Sequence, residues 1–307
     1  MMKVLILGSN GLVGKSLVTA LSNNENISEV VASTRQDTDL FNLEQTQKLL
    51  ENSNPDILIN AAAKVGGIYA NNTNRTEFIL ENLKINTNLL EAVIPYSDIK
   101  IFNLGSSCIY PVNVKNPIKE SSMMTGKLEK TNSPYAMAKL TSIEIGEAIA
   151  RQYGHKIINL MPTNLYGPND NFSEQDSHVI PGLIFRMHEA MISNESKFKI
   201  WGTGNPLREF LYVEDLADAI SFLIDKDIED KLLNIGSGEE ISIYNLAIKI
   251  KDVIGYKGEI IFDSNQPDGI QRKLLDSTKI NSLGWKSSTK LNLGLEKTYK
   301  WFLSNLC

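Results

Sequence analysis

Short, almost unbroken apolar runs, separated by longer stretches of helical spacing, narrow the folds open to this chain more than any other feature. The runs lie at residues 3–7, 29–32, 56–60, 100–104 and 156–160. Between them, residues 11–22, 43–52, 78–93 and 134–153 place apolar side chains at the spacing of amphipathic helices. A strand that alternates apolar and polar residues has one wet face, whereas a strand that is apolar throughout is buried on both. Such strands divided by helices predict an α/β fold with a parallel sheet covered on both sides. Right-handed crossovers then make it doubly wound. After about residue 162 the texture changes. Residues 163–178 are rich in Asn, Pro, Gly and Asp and read as a loop. A helix over 179–192 and a short strand over 199–201 follow, and residues 208–236 read as strand–helix–strand completing the sheet. The remainder, with helix 242–254, strand 259–262 and helices near 277–283 and 291–303, reads as a smaller mixed α/β unit.

Composition excludes several classes. The 31 basic and 36 acidic side chains leave a formal charge of -5, without the basic excess of a nucleic-acid binder. The two cysteines, Cys108 and Cys307, make no disulfide framework. No apolar run reaches the roughly 18 residues needed to cross a bilayer, and the N-terminus has no signal-peptide pattern. A soluble, cytoplasmic protein without membrane or nucleic-acid partners is expected.

Gly8-Ser9-Asn10-Gly11-Leu12-Val13-Gly14 joins the first expected strand to the first expected helix. Gly8 allows a sharp turn, Gly11 lets a pyrophosphate approach the backbone, and Gly14 lets the helix pack closely on the sheet. The spacing resembles that of the extended short-chain dehydrogenases. It predicts a dinucleotide-binding unit over residues 1–166 plus 208–240, with a substrate unit over 167–207 plus 241–307. The second strand leads into Arg35, where an acidic residue would suit a free ribose and an Arg suits a 2′-phosphate. NADP(H) is therefore expected over NAD, although Asp37 and Asp39 stand nearby and a solvated Arg is also consistent with the pattern. Asn60-Ala61-Ala62-Ala63 closes the third strand with small residues, as either a cofactor contact or ordinary packing requires.

Tyr135 and Lys139 lie four apart near the start of a helix and share a face. A tyrosine hydroxyl titrates near ~10, and a neighbouring ammonium is expected to draw it toward neutrality. Ser106 and Cys108 leave the fourth strand at the sheet edge where such folds bind ligands. Continued extended backbone would turn both toward the ligand. Cys108 also suits a small apolar filler. His178 ends the polar loop, as either a proton donor or a surface residue.

Longer strings carry a more specific likeness. They are Ala62-Ala63-Lys64-Val65-Gly66-Gly67-Ile68 with Asn71-Asn72, residues 105–111, Met161-Pro162-Thr163-Asn164-Leu165-Tyr166-Gly167-Pro168, and residues 177–181. Trp201-Gly202, Arg208-Glu209-Phe210, Pro267-Asp268-Gly269 and Arg272-Lys273-Leu274-Leu275-Asp276 complete the set. On these the chain resembles the GDP-L-fucose synthases, GDP-4-keto-6-deoxy-D-mannose 3,5-epimerase/4-reductases, over nearly its whole length. The resemblance implies a reduction triad of Ser106, Tyr135 and Lys139, with Cys108 and His178 as epimerisation base and acid. It implies Arg186, Trp201, Arg208, Asp268 and Lys273 as groups holding a GDP-sugar. Beyond the glycine turn and Arg35, it implies cofactor contacts at Leu104, Gly105, Ser106, Ser107, Lys139, Pro162, Thr163, Asn164, Leu165 and His178. It also implies a homodimer formed through helices such as 78–93 and 133–153. Some members carry a basic residue where Asn10 stands, which implies a milder NADP preference here.

The same fold hosts rivals. A 4,6-dehydratase usually shows Thr-Asp-Glu where this chain has Ser106-Ser107-Cys108, and a 4-epimerase has no use for the Cys108/His178 pair. A GDP-heptose 4-keto reductase differs only in how the smaller unit fits the sugar. A non-catalytic dinucleotide sensor needs the glycine turn but not Tyr135 and Lys139.

Overall fold

The computed structural model describes residues 1–174, 176–263 and 268–307. Pro267 of the Pro267-Asp268-Gly269 string lies outside the described residues. In chain order the first half runs β1 (Met2–Leu7), α1 (Leu12–Ser22), β2 (Ile27–Ser33), α2 (Leu43–Ser53), β3 (Ile57–Asn60), α3 (Ile68–Thr73), α4 (Arg75–Ala92), β4 (Lys100–Leu104), α5 (Ser133–Tyr153) and β5 (Lys156–Pro162). The second half adds β6 (Asn164–Tyr166), α6 (Val179–Ile192), β7 (Lys197–Trp201), β8 (Leu207–Tyr212), α7 (Val213–Ile224), β9 (Leu232–Ile235), β10 (Glu240–Ser242), α8 (Ile243–Ile254), β11 (Glu259–Asp263), β12 (Arg272–Lys273), α9 (Thr278–Ser282) and α10 (Leu291–Leu306). Among the described residues, no helix is long and apolar enough to cross a membrane.

The central sheet has six parallel strands in the order β2-β1-β3-β4-β5-β9. The winding direction reverses between β1 and β3, the position where open α/β sheets bind ligands. The continuous apolar character of β1 has the reason anticipated. Val4 and Ile6 pack with Leu17 and Leu21 of α1 and Leu216 and Ile220 of α7. Leu5 and Leu7 face the other way, onto Leu50 of α2, Leu89 and Leu90 of α4 and Ile149 of α5. Each such side chain, fully buried, contributes about 1.5–3 kcal/mol.

The expectation that residues 208–236 complete this sheet holds for β9 but not for β8. β8 lies in a second sheet, antiparallel to β10 and parallel to β12 and β6. Its side chains explain why: Leu211 faces the first core, while Phe210 and Tyr212 join a separate cluster with Tyr166, Ile184, Leu246 and Phe302. Strands β7 and β11 form a parallel pair beside it. Helix α3 was not anticipated. It spans six residues, of which only Ala70 and Asn71 are buried, too few to show a helical period.

One buried carboxylate ties β8 to the segments that follow β9 and β12. Glu209 of β8 is fully buried and accepts N–H bonds from Gly238 at 2.8 Å and Leu275 at 3.0 Å. Burial pushes the carboxyl above its ordinary range, and those bonds oppose the rise. Glu209→Ala leaves both donors without a partner, so a loss of roughly 2–5 kcal/mol in urea unfolding is expected. A loss below about 0.5 kcal/mol would mean that water replaces the carboxylate at little cost.

Candidate active site

The glycine turn caps the carboxyl end of β1. Gly8 has φ of 74°, and a Cβ there would meet Ala62 Cα at 2.8 Å; a Cβ on Gly14 would meet Gly8 O at 2.1 Å. These two glycines are required by the fold itself. Gly11 differs, because a Cβ there would meet nothing nearer than Gly8 O at 3.6 Å. Its φ of -81° suits any residue, and α1 has no side-chain cap on its first N–H groups. Protein packing gives no reason for glycine at this position, whereas an anion seated on the helix N-terminus does. A dinucleotide diphosphate therefore fits the turn.

Ser9 N–H bonds Ser33 O at 3.1 Å, which brings the end of β2 to the turn. Arg35 is exposed just beyond, its guanidinium 5.0 Å from the Phe41 ring centroid. The nearby acids are engaged locally. Asp37 accepts from Thr34 N at 2.8 Å and Thr34 Oγ1 at 2.6 Å, and Asp39 accepts from Phe41 N at 3.0 Å.

A buried polar row crosses the sheet beneath the site. Asn60, Asn103 and Asn159 are register partners on β3, β4 and β5. Asn60 Nδ2 donates to Asn103 Oδ1 at 3.1 Å, and Asn103 Nδ2 donates to Asn159 Oδ1 at 2.9 Å and Ser142 Oγ at 3.0 Å. The row fixes α5 against β4, and Lys139, one helical turn before Ser142, donates its Nζ to Leu104 O at 2.6 Å. Burial lowers the Lys139 ammonium to about 8.

Tyr135 lies against this lysine, with Lys139 Nζ 5.9 Å from its ring centroid, and shares a hydrogen bond with Ser106. The expected pull of Lys139 is not among the influences that shift the phenol. Burial, and then the charge of the Cys108 sulfur, push Tyr135 well above its ordinary range; the Ser106 bond opposes them. The alternation argument for Ser106 and Cys108 also needs correction. Residues Ser107–Ile109 form a 3₁₀ turn, and Ser106 Oγ accepts from Cys108 N at 3.2 Å. A tight cap, not a pleat, brings the two together.

Cys108 touches the cluster of Ala70, Phe78 and Tyr135. Phe78 and Tyr135 meet edge to face, centroids 6.4 Å apart. The Gly66-Gly67 turn packs on this cluster, and Gly67 N–H bonds Asp176 O at 2.9 Å. That approach brings the segment leading to His178 beside the Tyr135 centre. His178 is the N-cap residue of α6 and is exposed there. Desolvation shifts the ring toward neutral imidazole, against the expected imidazolium. A neighbouring anion would favour the cation.

The expected sugar-nucleotide groups divide. Trp201 ends β7 and is 67% exposed. Arg208 and Asp268 face one another, and burial lowers the arginine while Asp268 opposes the shift. Asp268 is engaged with Thr203, accepting from its N at 2.8 Å and its Oγ1 at 2.7 Å. Arg186 lies 5.4 Å from the Phe198 ring centroid. Lys273 is the register partner of Arg208, and its Nζ lies 3.8 Å from Cys108 Sγ. Among the described residues, no cluster of three or more His, Cys, Asp or Glu side chains would hold a metal ion.

The arrangement supplies a protonated phenol, a serine hydroxyl, a buried ammonium and a sulfur at one sheet edge, beside a turn shaped for a diphosphate. A family model described as NAD dependent epimerase/dehydratase family matches residues 4–236. The chain belongs to the NAD dependent epimerase/dehydratase family. Within that family it is 45% identical over 305 residues to GDP-L-fucose synthase 1 of Arabidopsis thaliana, covering 99% of this chain and 94% of the relative. A solved GDP-L-fucose synthetase from Naegleria fowleri bound to NADP is similar at TM-score 0.89 and 28% identity, over 99% of this chain and 94% of that one. A GDP-6-OMe-4-keto-L-xylo-heptose reductase from C. jejuni is similar at TM-score 0.90 and 30% identity, over 98% and 97%. The epimerase/dehydratase match ends one residue after β9, so Asp268 and Lys273 lie outside it.

Two residues of this family member were not singled out from sequence. Asn132 Nδ2 donates to Cys108 Sγ at 3.5 Å, and Glu129 accepts from Thr131 N at 2.9 Å and Asn132 N at 3.1 Å. Asn132 stands in Thr131-Asn132-Ser133-Pro134, which reads as an ordinary helix start. No local signal points it at a sulfur 24 residues away.

Proposed function

We propose that this protein makes GDP-L-fucose from GDP-4-keto-6-deoxy-D-mannose and NADPH, inverting C3 and C5 and then reducing C4. The observation that carries this reading is the Cys108 side chain packed against the cluster that holds Tyr135. A plain 4-keto reductase needs only the phenol, the serine and the lysine. A sulfur beside them suits removal of protons α to the same ketone. The glycine turn 8–14, Arg35, residues 104–107, Lys139, Pro162–Leu165 and His178 would hold the dinucleotide. Bound there, it supplies the hydride for C4. Ser106 and Tyr135 bind the C4 oxygen, where negative charge develops in every step. Cys108 takes a proton from C3 and from C5, His178 delivers a different proton to the opposite face of each carbon, and Tyr135 protonates the reduced oxygen. Arg186 and Arg208 pair with phosphate oxygens and Trp201 offers a flat apolar face.

Incubation with GDP-4-keto-6-deoxy-D-mannose and NADPH, followed by NMR of the product, tests the reading. GDP-L-fucose is expected. A product with uninverted C3 and C5 would leave only a reductase, as in the GDP-heptose alternative.

Arg35 is the candidate for the 2′-phosphate. Arg35→Ala is expected to lower the preference for NADPH over NADH by roughly 10–100-fold, the worth of a charge-assisted bond. An unchanged ratio of kcat/KM for the two cofactors removes Arg35 from this role. We also assign a homodimer formed through the outer faces of α4 and α5, where Leu80 and Met137 are exposed. Light scattering at micromolar concentration should give twice the 34.2 kDa chain mass, and a monomer mass would end that assignment.

A further inference from the structure

We propose that Lys273 and Asn132 hold Cys108 as a thiolate, acting as positioning residues for the base rather than as contacts to the GDP-sugar. The inference rests on the reading of Cys108 as that base. Among the described residues, both side-chain groups within hydrogen-bonding distance of Sγ are N–H donors: Asn132 Nδ2 at 3.5 Å and Lys273 Nζ at 3.8 Å. A thiol offers a weak donor and seeks an acceptor, whereas a thiolate only accepts. Two donors, one of them cationic, match the anion.

The cost borne by Asn132 points the same way. It occupies the N-cap of α5, where an Asn side chain ordinarily accepts a bond from the helix. Here it makes no cap bond, and its Oδ1 is buried without a partner. The amide has given up its usual role and donates to the sulfur. Its backbone N–H is held by Glu129, whose carboxylate also faces Lys273. Burial pushes Glu129 up, but the Thr131 and Asn132 bonds and the Lys273 charge hold it below its ordinary range. Lys273 arrives on β12, opposite Arg208 of β8, so the second sheet completes a base that stands at the end of β4. The titratable groups facing the sulfur are Lys273 from β12 and Tyr135 from α5, with Glu129 behind Lys273.

The step balances. The thiolate takes a proton from a carbon α to the C4 ketone, an S–H bond forms, and the C–H electron pair becomes an enolate. His178 protonates the opposite face, losing an N–H proton as a C–H bond forms. The cysteine proton leaves to solvent and the histidine regains one, and the ammonium of Lys273 favours that loss from sulfur.

The test uses a Cys307→Ser background, in which Cys108 is the remaining one of two free thiols. Iodoacetamide alkylation is followed against pH, and deuterium entry at C3 and C5 is followed in heavy water. Lys273→Met is expected to slow alkylation near neutral pH roughly tenfold and move its pH midpoint upward. Exchange should fall in proportion while KM for the GDP-sugar stays within about threefold, and Lys273→Arg should recover most of both. If Lys273→Met does not fold, Asn132→Ala carries the same test with an expected effect of about threefold. Alkylation at the parent rate across the pH range overturns the proposal. So does a raised KM with undiminished exchange at saturation, which returns Lys273 to the substrate. Slowed alkylation combined with full exchange in Cys108→Ser would keep the thiolate contact and reject the base reading instead.

Discussion

Removing only the phenolic oxygen, in Tyr135→Phe, is expected to slow NADPH oxidation about 10²- to 10⁴-fold, the usual worth of a positioned general acid, with the fold intact. The ring stays anchored by its edge-to-face contact with Phe78, 6.4 Å between centroids. Burial and the neighbouring sulfur keep the phenol protonated far above neutrality, so it has a proton to give to the C4 oxygen. Solvent exchange at C3 and C5 should persist in part, because Ser106 still binds that oxygen. A variant that oxidises NADPH at the parent rate contradicts the assignment. Lys139 adds a pH signature. Its ammonium titrates near about 8, below the ordinary 10.5, so activity that needs this charge should fall as pH rises through 8. Stability should move the other way. Above about pH 8 the folded chain has released a proton that the unfolded chain retains until about 10.5, so this site strengthens folding across that window. A rate and an unfolding midpoint that decline together would point to general alkaline unfolding instead.

Cys108→Ser should reduce deuterium entry at C3 and C5 by about 10²-fold or more, because a hydroxyl lacks the acidity that makes a thiol a usable base near neutral pH. Hydride transfer, which relies on Tyr135, should suffer less. The separation of the two effects is the informative result. Equal losses would mean that the sulfur only maintains the shape of the site, and undiminished deuterium entry measured by mass spectrometry removes Cys108 as the base. The substitution keeps the small volume, and Asn132 Nδ2, 3.5 Å from the sulfur, can still donate to an oxygen.

Most of the central sheet was legible from sequence because burial on both faces leaves a direct mark, an unbroken apolar run. The glycine turn and the Tyr135/Lys139 spacing were legible for a related reason: a turn and a helix face are local, set by residues within a few positions of one another. Periodicity records whether a face is buried and says nothing of what buries it. That is why β8, whose run Phe210-Leu211-Tyr212 resembles a central strand, was read into the wrong sheet. Its two faces serve two different cores. The same limit applies to Lys273, which meets Cys108 across 165 positions, and to Asn132, which leaves an ordinary helix cap for that sulfur. The sequence by itself determined the central strands of the first half, the glycine turn and the shared face of Tyr135 and Lys139, since each depends on short-range geometry. Only the tertiary structure decided which donors surround the sulfur, because that depends on how two sheets pack, and packing is set by contacts between segments far apart in the chain.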